Sequence, residues 1–227
     1  MDKPRLLCLH GFAQNKELFE ASLIRLGPKL QKYFELVIPE APILLTRPEV
    51  EHVWKTRNIP DCIPITRHFT WWRKLEPASP PSETYEGFDL VQDLLEARVM
   101  EGHFVGALGF SQGGALATIL AGMQTTGALD LGLKFCIPIC SHVPSDRSLF
   151  PGTQVPLPAF VISYEQDLHF EGTDTGAVKT HRALVDAFTP ATREEALLPG
   201  KMHQIPPDAE VIDRIVDFAR RNAGLPE

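Results

Sequence analysis

The sequence has no apolar run near the ~18 residues that a bilayer-spanning helix requires, which argues against a membrane-embedded chain. Cysteine is scarce: Cys8, Cys62, Cys136 and Cys140 are the four, and no two stand in a C-x-x-C pair. That excludes a disulfide scaffold and the common zinc frameworks. Three of them lie in or beside apolar runs, so buried free thiols and a reducing compartment are expected. Positive charge is in deficit, with 22 Lys and Arg against 29 Asp and Glu and a formal net charge of −7. A nucleic-acid surface or a polybasic membrane patch is therefore disfavoured. Neither an internal repeat nor a low-complexity tract is visible. The opening residues M-D-K-P-R pass directly into an apolar run, which leaves no place for a signal peptide and makes a cytoplasmic protein the expectation.

What is present is an ordinary globular composition, 44% apolar over 227 residues, enough for one domain spanning 1–227. Short apolar runs alternate with segments of helical spacing. Strands are expected at 5–9, 36–38, 104–110, 135–140, 158–163 and about 194–198. Helices are expected at 16–32, 86–100, 112–122, about 176–188 and about 208–222. Strand–helix alternation predicts an α/β fold with a mostly parallel sheet of about six strands and helices on both faces.

Residues 43–84 break the alternation. Pro48, Pro60, Pro64, Pro77, Pro80 and Pro81 fall inside the segment, with Pro39 and Pro42 just before it, and all three tryptophans, Trp54, Trp71 and Trp72, lie within it. Proline opposes long helices and central strands, while the aromatics oppose disorder. The segment reads as a lid or a wall of a pocket, with Phe69, Trp71 and Trp72 as candidate apolar lining.

The chemistry is carried by Gly109-Phe110-Ser111-Gln112-Gly113, a G-x-S-x-G placed directly after a strand and before a helix rich in Ala and Gly. A sharp strand-to-helix turn exposes the Ser111 hydroxyl at the sheet's edge, and the flanking glycines avoid collisions there. An acyl-transfer nucleophile needs donors for the oxyanion. The backbone N–H of Gln112 is one candidate, and that of Phe12, after the strand ending His10-Gly11, is the second. His10 is expected to hold its loop by side-chain hydrogen bonds.

A hydroxyl nucleophile also needs a base and an orienting acid, in the chain order Ser, acid, His. Of the histidines after Ser111, His203 lies in the loop Pro199-Gly200-Lys201-Met202 between the last strand and the last helix. His181 reads as helical, His142 precedes every good acid, and His169 stands two residues from the favoured acid. That acid is Asp167, just past a strand end, where catalytic groups collect in parallel sheets. Glu165 and Asp174 are its rivals.

L-C-L-H-G-F-A-Q-N near the start, P-E-A-P at 39–42, G-F-S-Q-G-G-A at the elbow, S-Y-E-Q-D and P-G-K-M-H together resemble the FSH family of serine hydrolases. The resemblance covers nearly the whole chain. It implies a reduced α/β-hydrolase fold without the first antiparallel strands, and a triad of Ser111, Asp167 and His203. It also implies hydrolysis of a carboxylic ester or thioester through an acyl-enzyme, with no metal or organic cofactor. Family members include esterases of short and medium acyl chains and thioesterases of fungal secondary metabolism that release polyketides from an acyl carrier protein. Arg57, Arg67, Arg73 and Lys74 could offer a local basic patch to such a carrier. A non-catalytic binding module on the same scaffold is the reading from another class.

Overall fold

A computed structural model describes residues 2–56, 67–75, 84–150, 152, 154–169 and 176–226. Cys62, Arg57, Asp174 and the prolines at 60, 64, 77, 80 and 81 lie outside the described residues, as does the side chain of Trp54. The chain runs β1 (Arg5–Leu9), α1 (Lys16–Ser22), α2 (Gly27–Leu30), β2 (Glu35–Val37), β3 (Ile43–Leu44), α3 (Arg47–Thr56), β4 (Phe69–Thr70), β5 (Arg73–Leu75) and β6 (Thr84–Glu86). It continues through α4 (Phe88–Val99), β7 (Phe104–Phe110), α5 (Gln112–Thr126), β8 (Phe135–Ile139), β9 (Ala159–Tyr164), α6 (Gly176–Asp186), β10 (Arg193–Leu198) and α7 (Ala209–Ala223).

Six strands form one parallel sheet in the order β10-β9-β8-β7-β1-β2, as the alternation predicts. The inner strands are apolar on both faces because both faces are covered. Leu7, Leu9, Ala107, Cys136 and Val161 belong to a core shared with α4, α5 and α6. Leu6, Cys8, Leu108, Ile137 and Ile162 alternate to the other side and meet α1 and α7. The outermost strands, E-L-V and R-E-E-A-L-L, keep polar residues at the edges. Helix α5 is buried nearly all round, which its Ala and Gly content permits. Helix α7 is amphipathic, opened by Asp208 accepting from the amides of Glu210 and Val211 and closed by left-handed Gly224. Pro138 lies in β8, an inner strand. The recorded pairs of β8 with β9, Cys136 with Ala159 and Ile139 with Ile162, fall on either side of it, because proline has no N–H to give the ladder.

Two expectations need correction. The predicted helix over 16–32 is two short helices, since Leu23–Leu26 turn between them and Pro28 opens the second. The described part of 43–84 is not irregular throughout: it holds α3, with Pro48 in its permissive first turn, and two antiparallel pairs, β3 with β4 and β5 with β6.

The strand order has one reversal. From β1 the chain moves outward to β2, then returns to the other side of β1 with β7 and continues away through β8, β9 and β10. The loops after β1 and β7 therefore diverge, and the crevice between them is the position where parallel sheets place ligands.

Candidate active site

Ser111 stands in that crevice. Its backbone has φ 53° and ψ −117°, a conformation that L-residues rarely adopt. Its amide donates to Ile139 O at 2.9 Å, and the Ser141 hydroxyl donates to Ser111 O at 2.8 Å, so neighbouring β8 holds the turn from both sides. The glycine requirement is steric. A Cβ at Gly109 would lie 2.0 Å from Gly113 O, and one at Gly113 would lie 2.2 Å from Leu9 O and 2.5 Å from His10 O. The first turn of α5 is thus pressed directly onto the end of β1, which carries Gln112 and the loop of Phe12 to opposite sides of one crevice. The open amides of a helix start point to the same place.

His203 Nδ1 meets Asp167 Oδ1 at 2.8 Å. Asp167 is wholly buried at the end of β9, and its Oδ1 also accepts the amide of His169 at 2.9 Å. That pairing assigns the proton of His203 to Nδ1 and leaves Nε2 as the basic nitrogen. Nε2 is buried and makes no hydrogen bond, Ser111 included. Phe110, next to Ser111 in sequence, packs on the His203 ring with centroids 4.9 Å apart, which brings the imidazole to the Ser111 turn without a hydrogen bond to it. Such bonds often close only when substrate is bound. Glu165, the rival acid, is exposed. His181 is buried in α6, with Nε2 at 3.1 Å from Glu195, and does not reach the site's pair.

Cys140, just after β8, has φ 50° and adds its thiol to this corner. Its sulfur, a carboxylate oxygen of Asp167 and a His203 ring nitrogen lie within 4.8 Å of one another. They are the one group of metal-ligand type among the described residues, but the Asp167–His203 hydrogen bond already joins two of its members. Burial and the nearby Asp167 charge push the Cys140 thiol well above its ordinary pKa, so it stays protonated.

His10 is fully buried at the end of β1 and does what the sequence reading assigned to it. The Ala41 amide donates to Nε2 at 3.1 Å, and Nδ1 lies 2.8 Å from Gly11 O. Both bonds together require the neutral ring with its proton on Nδ1. Burial agrees, lowering its pKa to about 4.

The side chain of Gln112 was not singled out from sequence. It is buried, and its Oε1 accepts from Thr70 Oγ1 at 3.0 Å and from the Trp71 amide at 3.2 Å. Its Nε2 donates to Trp72 O at 3.0 Å. Trp71 Nε1 donates to His10 O at 2.8 Å, while Phe69 accepts from the Ala13 amide and donates to Gln14 O in the loop after β1. Residues 67–72 are therefore stitched between both oxyanion candidates. The one available signal was a long amide opening a helix whose first three turns are otherwise small and apolar.

The tryptophans correct an expectation. Trp71 is 0% and Trp72 2% exposed, and Phe69 is also buried. Trp72 stacks on Tyr85 at 4.5 Å, and all three belong to the core shared with α4 and α5. Their surface is consumed by packing, so they do not form an open apolar wall. Arg73 of the expected basic patch is ion-paired with Glu49 at 3.0 Å, whereas Arg67 and Lys74 are exposed.

The family model for serine hydrolase (FSH1) matches residues 1–215. An esterase of Didymella fabae is 25% identical over 98% of this chain and 91% of its own length. A probable esterase azaC of Aspergillus niger is 25% identical over 98% and 87%. Rhodanese-like domain-containing protein 6 of Arabidopsis thaliana is 32% identical over 61% of this chain, a match spanning only 26% of that longer protein. In fold, Zea mays acyl-protein thioesterase 2 superposes with a TM-score of 0.65 at 17% identity, covering 99% of this chain and 95% of its own. Arabidopsis thaliana SOBER1 gives 0.61 at 19%, covering 97% and 99%.

Proposed function

Because the chain belongs to the FSH1 serine hydrolase family and is an ester- or thioester-hydrolysing enzyme, we propose that Ser111, His203 and Asp167 carry the reaction. The observation that supports this most is the left-handed Ser111, held at the sheet's reversal beside an imidazole already paired with a buried carboxylate. In this reading His203 Nε2 takes the Ser111 proton as Oγ attacks the carbonyl carbon. The carbonyl π pair moves to oxygen, and the amides of Phe12 and Gln112 receive the oxyanion. Collapse breaks the bond to the leaving oxygen or sulfur, which takes the proton from His203 and departs as the alcohol or thiol. Water then attacks the acyl-enzyme, giving its proton to His203, and the acid is released as Ser111 recovers its proton. Asp167 keeps the tautomer and stabilises the imidazolium throughout.

The chain reads as one α/β-hydrolase domain, with 43–84 as an insertion whose 67–72 stretch braces the oxyanion loop. The buried free thiols Cys8, Cys136 and Cys140 support a reducing, cytoplasmic setting. A small-molecule ester or thioester is the first substrate class. An acyl group on a carrier protein is the second, supported by exposed Arg67 on the bracing segment and Lys74 just beyond it.

The test is hydrolysis of p-nitrophenyl esters and acyl thioesters from acetyl to decanoyl, free and carrier-bound, by wild type and Ser111→Ala. Fluorophosphonate labelling runs beside it. Turnover and label should both vanish in Ser111→Ala, with turnover falling by a factor on the order of 10^4 or more. A wild-type protein that neither turns over nor labels would refute the assignment and favour a binding module.

A further inference from the structure

We propose that His169 is a positioning residue that holds the general base flat against the catalytic acid; this rests on the triad proposed above. Two contacts carry it. The amide of His169 donates to Asp167 Oδ1, the same oxygen that pairs with His203. The imidazole of His169 stacks on that of His203, with centroids 4.4 Å apart and planes 14° apart.

The first contact closes an Asx-type turn over 167–169, in which a carboxylate accepts the amide two residues on. This turn fixes the direction of the carboxylate and determines where residue 169 places its ring. The second contact supplies what a single hydrogen bond cannot. One Nδ1–H···O bond leaves the His203 ring free to rock about the line joining the two atoms. That rocking carries Nε2 away from Ser111.

The loop bearing His203 is anchored through its backbone, where Gly200 O accepts from the Gln166 amide at 3.3 Å and Gln204 O from the Cys140 thiol at 3.4 Å, contacts that leave the tilt of the ring unset. Lys201, Met202 and Gln204 are exposed, and Gly200 has φ 110°. The ring itself is only 14% exposed because neighbours cover it: Phe110 at 4.9 Å with a 48° tilt, and His169, nearly parallel. Phe110 is fixed by β7 and His169 by the acid's own turn. Beyond the backbone anchors of its own loop, the ring of the base is oriented by the nucleophile's strand and by the acid's loop. An aromatic contact of this type is worth enough to change a rate by ~3–10-fold when lost.

The experiment compares His169→Ala and His169→Phe with wild type on one ester. kcat, KM, the rate of fluorophosphonate labelling at Ser111 and the low-field proton resonance of His203 Nδ1–H are measured for each. The alanine variant should lose ~3–10-fold in kcat and in labelling rate, with KM unchanged and the resonance weakened by exchange. The phenylalanine variant keeps the flat ring and the backbone turn, and should recover most of the rate and the resonance. An alanine variant with wild-type kcat and resonance would overturn the proposal. So would a folded phenylalanine variant as slow as alanine, since stacking would then not be the cause. Wild-type labelling at Ser111 is the control: if it is absent the triad assignment has failed, whatever the His169 variants do.

Discussion

Ser111 combines a demand of chemistry with a cost in stability. A non-glycine residue at φ 53° and ψ −117° carries strain of ~1–3 kcal/mol. Ser111→Gly removes the Cβ that causes it, whereas Ser111→Ala keeps it. Both variants should be inactive, and the glycine variant should unfold at higher denaturant, by about 1 kcal/mol after the added freedom of the unfolded glycine is counted. Urea titrations of the two, side by side, measure the difference directly. His10 gives a pH effect with a definite sign. Its folded pKa is near 4 and its ordinary value 6.5, so the unfolded chain binds the extra proton first. Stability is present above 6.5 and is lost as pH falls through the window to about 4, by a total of order 3 kcal/mol. His10→Asn, which cannot titrate, should show a shallower loss between pH 7 and 4.5 in denaturation experiments. At this scale the sequence pointed to the strained turn at Ser111 and to Asp167 and His203, which the fold pairs at 2.8 Å. It did not point to the ring contact of His169 or the side-chain bonds of Gln112, which depend on which ring or carbonyl a fold brings opposite them.

Elements were legible where one physical cause dominated. Apolar runs marked all of the inner strands, because burial on both faces leaves few polar positions. The insertion was harder to read. Its prolines signal loop, yet Pro48 opens a helix, and Trp71 and Trp72 look like pocket lining but are core. Composition identifies an aromatic cluster without saying which side of it water reaches. The Gln112 side chain ties this insertion to α5 through three buried hydrogen bonds. Gln112→Ala leaves the Trp71 amide, the Trp72 carbonyl and the Thr70 hydroxyl without that partner. A loss of ~2–4 kcal/mol in stability is expected, with kcat falling because Trp71 no longer steadies the carbonyl of His10. Wild-type kcat in a folded Gln112→Ala variant would show that the brace serves stability alone. Gly113→Ala is harsher, since its Cβ would lie inside van der Waals contact with two backbone carbonyls of β1 and its loop. Separation of α5 from β1 should abolish activity, checked by assay beside circular dichroism.

In the molecule as a whole, every proposed catalytic group lies at the same end of the parallel sheet, but on strands of unequal security. Ser111 follows β7 and Asp167 follows β9, both inner strands. His203 follows β10, which pairs with β9 alone and carries R-E-E-A-L-L in place of an apolar run. The parallel topology was legible from the alternation of runs. The order of strands was not, because it depends on which crossover covers which face, and single-strand patterns do not encode that. Strand order has a consequence for how the enzyme fails. Edge strands open first, at a free energy below that of global unfolding. Fraying of β10 would draw the imidazole away while the rest of the sheet stayed intact. Catalysis should then serve as a sentinel of local opening: with rising urea or temperature, turnover declines ahead of the circular-dichroism transition and returns fully on dilution. A cell under heat stress would lose this activity early and recover it without refolding the chain.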